Sequence, residues 1–305
     1  MPMAEPTGLG RKLAAGKFVT AVELDPPRGA SMEKMLAAAH TLQQAGVDVI
    51  NVADSPMAHM RMSPWAVCHS IQDQLEQETV LHFPTRGRSL LRIQGDLLAA
   101  HALGVRNIFV VMGDPTAIGD YPQAMDQYDV VPSGLIRLIK QKFNAGLDHA
   151  GTDIDAATSF MVGCALNLGA PDLEREMRVL LRKIEAGADF ALTQPIYEPG
   201  ILETFLELFH RRHGALDLPI LAGLLPLYNA RHARFLQHEV PGIDIPGEMH
   251  TRIANAGSQS MAEGVQMTLD LLNQIQDLAQ GVYIMPPFNR YDMAAQILES
   301  NDLQG

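Results

Sequence analysis

The segment AGVDVINVAD, Ala45–Asp54, reads as the end of a helix, a glycine turn, a largely apolar strand and a polar stop. Gly46 suits the position just past a helix C-terminus, where φ is often positive and only glycine is free of strain. The same phrase returns as LGVRNIFVVMGD (Leu103–Asp114) and as AGADFALTQP (Ala186–Pro195), with Gly104 and Gly187 at the turn. Runs this apolar are typical of strands covered on both faces, and their alternation with helices is the grammar of βα units in a parallel sheet.

Extending that phrase along the chain predicts eight strands: Phe18–Leu24, Val47–Val52, Thr79–Phe83, Asn107–Met112, Phe160–Ala165, Phe190–Gln194, Pro219–Leu224 and Gly281–Met285. Helical patterns fall between and after them at Met32–Gln44, Pro64–Leu75, Leu90–Leu103, Ser133–Asn144, Leu173–Ala186, Ile201–His213, Ala230–Gln237 and Met261–Leu278. A short extra helix is expected at Met249–Ala254. Eight such units in about 250–300 residues match an α/β fold of the (β/α)8 TIM-barrel type, with a doubly wound sheet as the competing arrangement. No Pro/Gly-rich linker or low-complexity tract divides the chain, so residues 1–305 are expected to form a single barrel domain.

Composition narrows the function. The 305 residues carry 23 Lys+Arg against 35 Asp+Glu, a formal charge of −12. That balance argues against nonspecific binding to nucleic acid or an anionic membrane, while leaving room for a local cationic pocket. Two cysteines, Cys68 and Cys164, exclude a disulfide scaffold and a thiolate-rich zinc site and fit a reducing compartment. The N-terminus lacks a signal-peptide core and no apolar run approaches the ~18 residues of a membrane span, so a soluble cytoplasmic protein is expected.

In a barrel the chemistry sits at the C-terminal ends of the strands. Collected there are Glu23, Asp25, Asp54, His82, Asp114, Asn167, Gln194, Asn289 and Arg290. Any one of them reads equally as a turn residue closing a strand. Their gathering on one rim suggests a pocket rich in hydrogen-bonding groups for a heteroaromatic ligand. Glu23, inside VTAVELDPP, is the exception that stands alone. A carboxyl among apolar neighbours has its pKa raised and is suited to act as a general acid. The competing reading pairs it with a cation, the nearest being Arg28.

Other signals are weaker. Arg182 and Lys183, near the end of a helix, read by themselves as ordinary complements of the helix dipole. Met57, Met60 and Met62 suit either a planar cofactor or core filling. His232 and His238 lack a zinc-ligand pattern and read as surface histidines. No G-x-G-x-x-G follows a strand, and no P-loop, H-E-x-x-H or G-x-S-x-G occurs. The strand ends carry no lysine for a Schiff base.

The phrases VELDPPRG, TVLHF, VVMGDP, RKIEAGADFALTQPIY, LAGLLPL, DIPGEM and GVYIMPPFNRY, in this order from about Phe18 to Tyr291, resemble the methylenetetrahydrofolate reductase family. NVADSPMAHMRMSP and DLLAAHALGVRNIFVVMGDP further resemble the reductase half of bifunctional homocysteine S-methyltransferase/methylenetetrahydrofolate reductase proteins, standing here without the methyltransferase half. The resemblance implies a TIM barrel binding FAD that reduces 5,10-methylenetetrahydrofolate with NADH or NADPH in a ping-pong cycle. It also implies a homo-oligomer, dimer or tetramer, and a place in methionine biosynthesis.

By the same resemblance Glu23 is the general acid toward folate N10, and Asp114 contacts the pterin near the flavin. Gln194 and Arg290 bind the folate. Asp54, His82, Gly113 and Asp114 fall at flavin-site positions, and Arg182 with Lys183 holds the phosphate-bearing part of FAD. No metal is implied. The chain departs from the better-known bacterial pattern at Met112 (often Arg), at Ala53-Asp54 (Thr-Tyr) and at Pro286-Pro287-Phe288 (Tyr-Thr-Leu). Two alternatives stand beside this reading: a flavin-free NAD(P)H-dependent folate reductase, and a non-catalytic subunit that binds a one-carbon carrier.

Overall fold

In the computed structural model, which describes residues 6–240 and 242–300, eight parallel strands close into a barrel in sequence order, β1 pairing with β8. A helix α1 (Gly8–Ala14) precedes β1 (Val19–Leu24) and α2 (Glu33–Gln44). Then come β2 (Val49–Val52), α3 (Pro64–Leu75), β3 (Thr79–Pro84), α4 (Leu90–Ala102), β4 (Asn107–Val111) and α5 (Pro132–Gln141). They are followed by β5 (Met161–Leu166), α6 (Leu173–Ala186), β6 (Phe190–Pro195), α7 (Pro199–His213) and β7 (Ile220–Leu224). The chain closes with α8 (Ala230–Glu239), α9 (Gly247–Asn255), α10 (Ser260–Ile275), β8 (Gly281–Ile284) and α11 (Tyr291–Ser300). The fold is a (β/α)8 TIM barrel, and the doubly wound alternative falls with the β1–β8 pairing.

Alternation along the strands sorts the side chains. On β1, Val22 and Leu24 face the helical ring, whereas Val19 and Ala21 join Val49, Val80, Phe109, Phe190, Leu192, Leu221 and Tyr283 inside the barrel. Gly163 on β5 is the space-maker here, since a Cβ at that position would lie 2.4 Å from the Phe190 ring. Leu9 and Leu13 of α1 belong to the same internal cluster, so α1 closes the floor of the barrel. Its first turn is held by the Thr7 side chain, which accepts from Gly10 N, and by the Glu78 carboxylate, 3.2 Å from Leu9 N.

Gly46, Gly104 and Gly187 all take positive φ (85°, 80° and 105°) after α2, α4 and α6, as their place in the repeated phrase predicts. The sequence reading missed α1 and α11, and it is corrected at His232. That side chain is buried rather than on the surface, with Nδ1 3.2 Å from Tyr228 N, and burial pushes its pKa down to about 4. Cys68 and Cys164 are buried free thiols. Among the described residues no helix is long and apolar enough to cross a membrane.

Candidate active site

Glu23 continues the inward series Val19, Ala21 on β1, and the register sets it beside Asn51 of β2. Tyr283 of β8 donates its phenolic hydrogen to Glu23 Oε2. His82 of β3 stands close by, its Nδ1 4.0 Å from the same oxygen and its Nε2 3.2 Å from Asn51 Nδ2. The imidazole is buried and packs edge-on against Phe109, with ring centroids 4.9 Å apart. The Asn51 side-chain amide thus lies against Nε2, and among the described residues its Oδ1 is buried without a partner.

Three effects act on the carboxyl in one direction. Burial, then the negative charges of Asp25 and Asp114, raise the Glu23 pKa to about 8. Burial pushes His82 down to about 3. At neutral pH the barrel mouth therefore holds a protonated carboxyl beside a neutral imidazole. The Glu23 side chain keeps 24 % of its surface open, so its proton has a route to a ligand. Arg28, the cation weighed as a partner for Glu23, pairs instead with Asp120 at 2.7 Å.

Asp114 sits on the rim after β4, exposed, where its Oδ2 accepts a hydrogen bond from Met57 N at 2.7 Å. The loop after β2 thus folds toward the loop after β4. Asp120 secures the same contact by accepting from Met60 N at 2.8 Å and His59 at 2.9 Å. The approach is so tight that a Cβ on Gly119 would lie 2.1 Å from Ala58 O. Ser55, Met57 and Ala58 hold positive φ within this loop, which places it among the strained segments. Met57 and Met60 are exposed there, while Met62 packs against the main core.

The remaining predicted site residues spread around the rim. Gln194 is exposed at the end of β6 and borders a cleft of about 600 Å³ with Leu168, Ile201 and Asp244. Gly113 takes φ +88°, and a Cβ there would lie 2.9 Å from Pro84. Asp54 is tied to Arg88 at 2.7 Å; that guanidinium also binds Asp96 at 2.5 Å and lies 4.7 Å over the Trp65 ring. Arg290 forms a fork to Asp292 (2.8 and 2.5 Å) and lies over Tyr228.

Arg182 and Lys183 part company on α6. Arg182 is exposed, whereas Lys183 is 7 % exposed and reaches inward to donate to Ala165 O of β5 at 2.6 Å. Among the described residues Lys183 forms no ion pair, and one carbonyl is a thin acceptor set for a buried ammonium. That donor fits an anionic group such as a cofactor phosphate. Asn51, Tyr283 and Arg88 escaped the sequence reading. Asn51 and Tyr283 share the inward parity of Glu23, and following that parity across the predicted strands would have found them.

The family profile described as methylenetetrahydrofolate reductase matches residues 9–302 of this chain. The chain belongs to the methylenetetrahydrofolate reductase family. Methylenetetrahydrofolate reductase 2 of Schizosaccharomyces pombe is 27 % identical over 191 residues, covering 61 % of this chain and 29 % of that protein. Methylenetetrahydrofolate reductase (NADH) 1 of Arabidopsis thaliana is 24 % identical over 193 residues, covering 57 % of this chain and 30 % of that protein. The matched stretch thus spans less than a third of these longer relatives.

Among solved structures, an uncharacterised Clostridium thermocellum protein that binds two copies of 5-methyl-5,6,7,8-tetrahydrofolic acid superposes with a TM-score of 0.66. It is 14 % identical, and the match covers 98 % of this chain and 99 % of that one, which shows a common fold.

Proposed function

We propose that this chain reduces 5,10-methylenetetrahydrofolate to 5-methyltetrahydrofolate, with NADH or NADPH as the electron source and FAD as resident cofactor. The observation that carries the reading is Glu23, a carboxyl that stays protonated to about pH 8 at the mouth of the barrel. Opening the five-membered ring of the substrate requires a proton at N10, and an acid with a pKa near the working pH serves that step best. Glu23 gives its proton to N10 as the N10–methylene bond breaks, and the resulting N5 iminium carbon accepts the hydride. Glu23, now a carboxylate, regains a proton from solvent through the open part of its surface.

Asp114 and Gln194 supply the acceptors and amide hydrogens that a pterin ring pairs with, and Arg290 lies on the same rim for the rest of the folate. Lys183 would hold a phosphate of FAD, while Arg182, exposed on the other side of α6, would meet it only by turning inward; His82, Gly113 and Asp54 would line the place of its ring. FAD, when bound, supplies the hydride carrier between nicotinamide and folate. Met57 N occupies Oδ2 of Asp114 and leaves Oδ1 open to a ligand.

A second reading, direct hydride transfer from NAD(P)H to folate without flavin, draws on Asp54 being neutralised by Arg88 and on Arg182 pointing away from Lys183. One experiment separates the two. The purified protein is scanned across the flavin absorption bands, then mixed anaerobically with NADH or NADPH and with methylenetetrahydrofolate. Bleaching of a flavin band by the nicotinamide and its return on adding folate, with 5-methyltetrahydrofolate formed, is the expected result. A colourless protein that still forms product selects the flavin-free reading. No product under either nicotinamide, even after FAD is supplied, overturns the assignment.

A further inference from the structure

We propose that Tyr283 is a positioning residue that keeps the transferable proton of Glu23 on Oε1. The inference rests on Glu23 being the general acid and adds a group to which nothing else assigns a role. A neutral carboxyl has one oxygen that bears the hydrogen and one that only accepts. The Tyr283 hydroxyl donates to Oε2, which makes Oε2 the accepting oxygen. His82 Nδ1 lies 4.0 Å from Oε2, beyond hydrogen-bond reach, so among the described residues Tyr283 is the one side-chain donor to this carboxyl. Among the described residues Oε1 has no hydrogen-bond partner, so it is the oxygen left to carry the proton and to meet a substrate atom.

The phenol is itself fixed in place. Tyr283 is 4 % exposed, it belongs to the apolar cluster inside the barrel, and β8 is paired on both sides, with Ala21 of β1 and Gly223 of β7 as its partners. Its ring lies 6.3 Å from the His82 ring. A rotating carboxyl would present its two oxygens in turn, and a proton misdirected by an ångström costs as much as a hundredfold in rate.

The groups that face Glu23 are Asp25 at the end of its own strand, Asp114 after β4, His82 on β3, Tyr283 on β8 and Tyr291 on α11. The two aspartates favour the protonated acid. The Tyr283 donor works the other way, since a hydrogen bond to a carboxyl oxygen is stronger when the group is ionised.

Tyr283→Phe deletes one oxygen and keeps the ring. Its carboxylic C=O stretch is read by infrared difference against Glu23→Gln, a measurement that needs no turnover. In Tyr283→Phe the Glu23 band moves to higher frequency as its carbonyl loses a donor, and its titration midpoint rises above that of the wild type. In the reductase assay kcat falls roughly ten- to a hundredfold. KM for folate stays within about twofold, and the alkaline limb of the pH profile moves upward.

Wild-type protein grown with difluorotyrosine, a more acidic phenol, keeps its fold and shifts the band to lower frequency. An unchanged band and midpoint in either protein overturn the role of Tyr283, whatever the assay shows. Shifted bands in a protein that makes no 5-methyltetrahydrofolate sustain the contact and sink the folate reading instead.

Discussion

A carboxyl kept protonated at neutral pH burdens the folded state once the solution turns alkaline. Glu23 holds its proton to about pH 8 in the native protein against a reference value of 4.5. Between those values the native state binds the extra proton, so its contribution to stability is full below about 4.5 and is lost as pH rises through 8. The side chain is three-quarters covered, which leaves a penalty on the order of a few kcal/mol. Glu23→Gln should therefore gain in melting temperature relative to the wild type on going from about pH 5 to about pH 9 while folate reduction falls at least a hundredfold. Parallel melting curves across that range would show an ordinary carboxylate. His82 acts on the opposite flank: its native value of about 3 against 6.5 makes the fold lose stability as pH drops through that interval. Glu23 was legible in sequence because its apolar neighbours were. Asn51 and Tyr283 share its inward parity, but that they lie beside it depends on which strands pair, which their distance in sequence does not show.

At the level of elements, the helices ending in glycine were readable from one repeated phrase, and α3 and α6 have the predicted ends. The helix α1 was not, because GLGRKLA carries two glycines, each costing about 1 kcal/mol of helix propensity relative to alanine. Burial of Leu9 and Leu13 in the barrel floor and the Glu78 contact outweigh that cost. The helix α11 buries Met293, Ala294, Ile297 and Leu298 in a clear helical rhythm, but the eight-unit count ended at β8 and left it unassigned. Leu9 is 1 % exposed, so Leu9→Ala should destabilise the protein by about 2–5 kcal/mol in urea melts. Its kcat/KM should stay at the wild-type value, because the change lies at the end of the barrel away from Glu23. A large loss of activity in folded Leu9→Ala would mean that the floor also shapes the mouth.

Across the whole molecule, the formal charge of −12 and the barrel pull apart into background and site. The net charge describes the chain as a whole, while the polar groups gathered around Glu23 come from four inward positions on β1, β2, β3 and β8. The family likeness reached nearly the same span that the family profile covers, residues 9–302. The loops were the part that sequence left open. Where Asp114 meets Met57 or Asp54 meets Arg88 depends on two segments crossing in space, and no local pattern encodes that.

The α1 plug has a consequence for traffic. With Leu9 and Leu13 sealing the lower end, Glu23 is approached from the rim, and under the proposed reductase reading a nicotinamide and a folate would enter by that one doorway. Each reactant would then be the other's rival. A non-reducible folate analogue should raise the KM for NADH or NADPH in proportion to its concentration and leave kcat unchanged. A fall in kcat at constant KM would instead mean that the doorway admits both guests side by side.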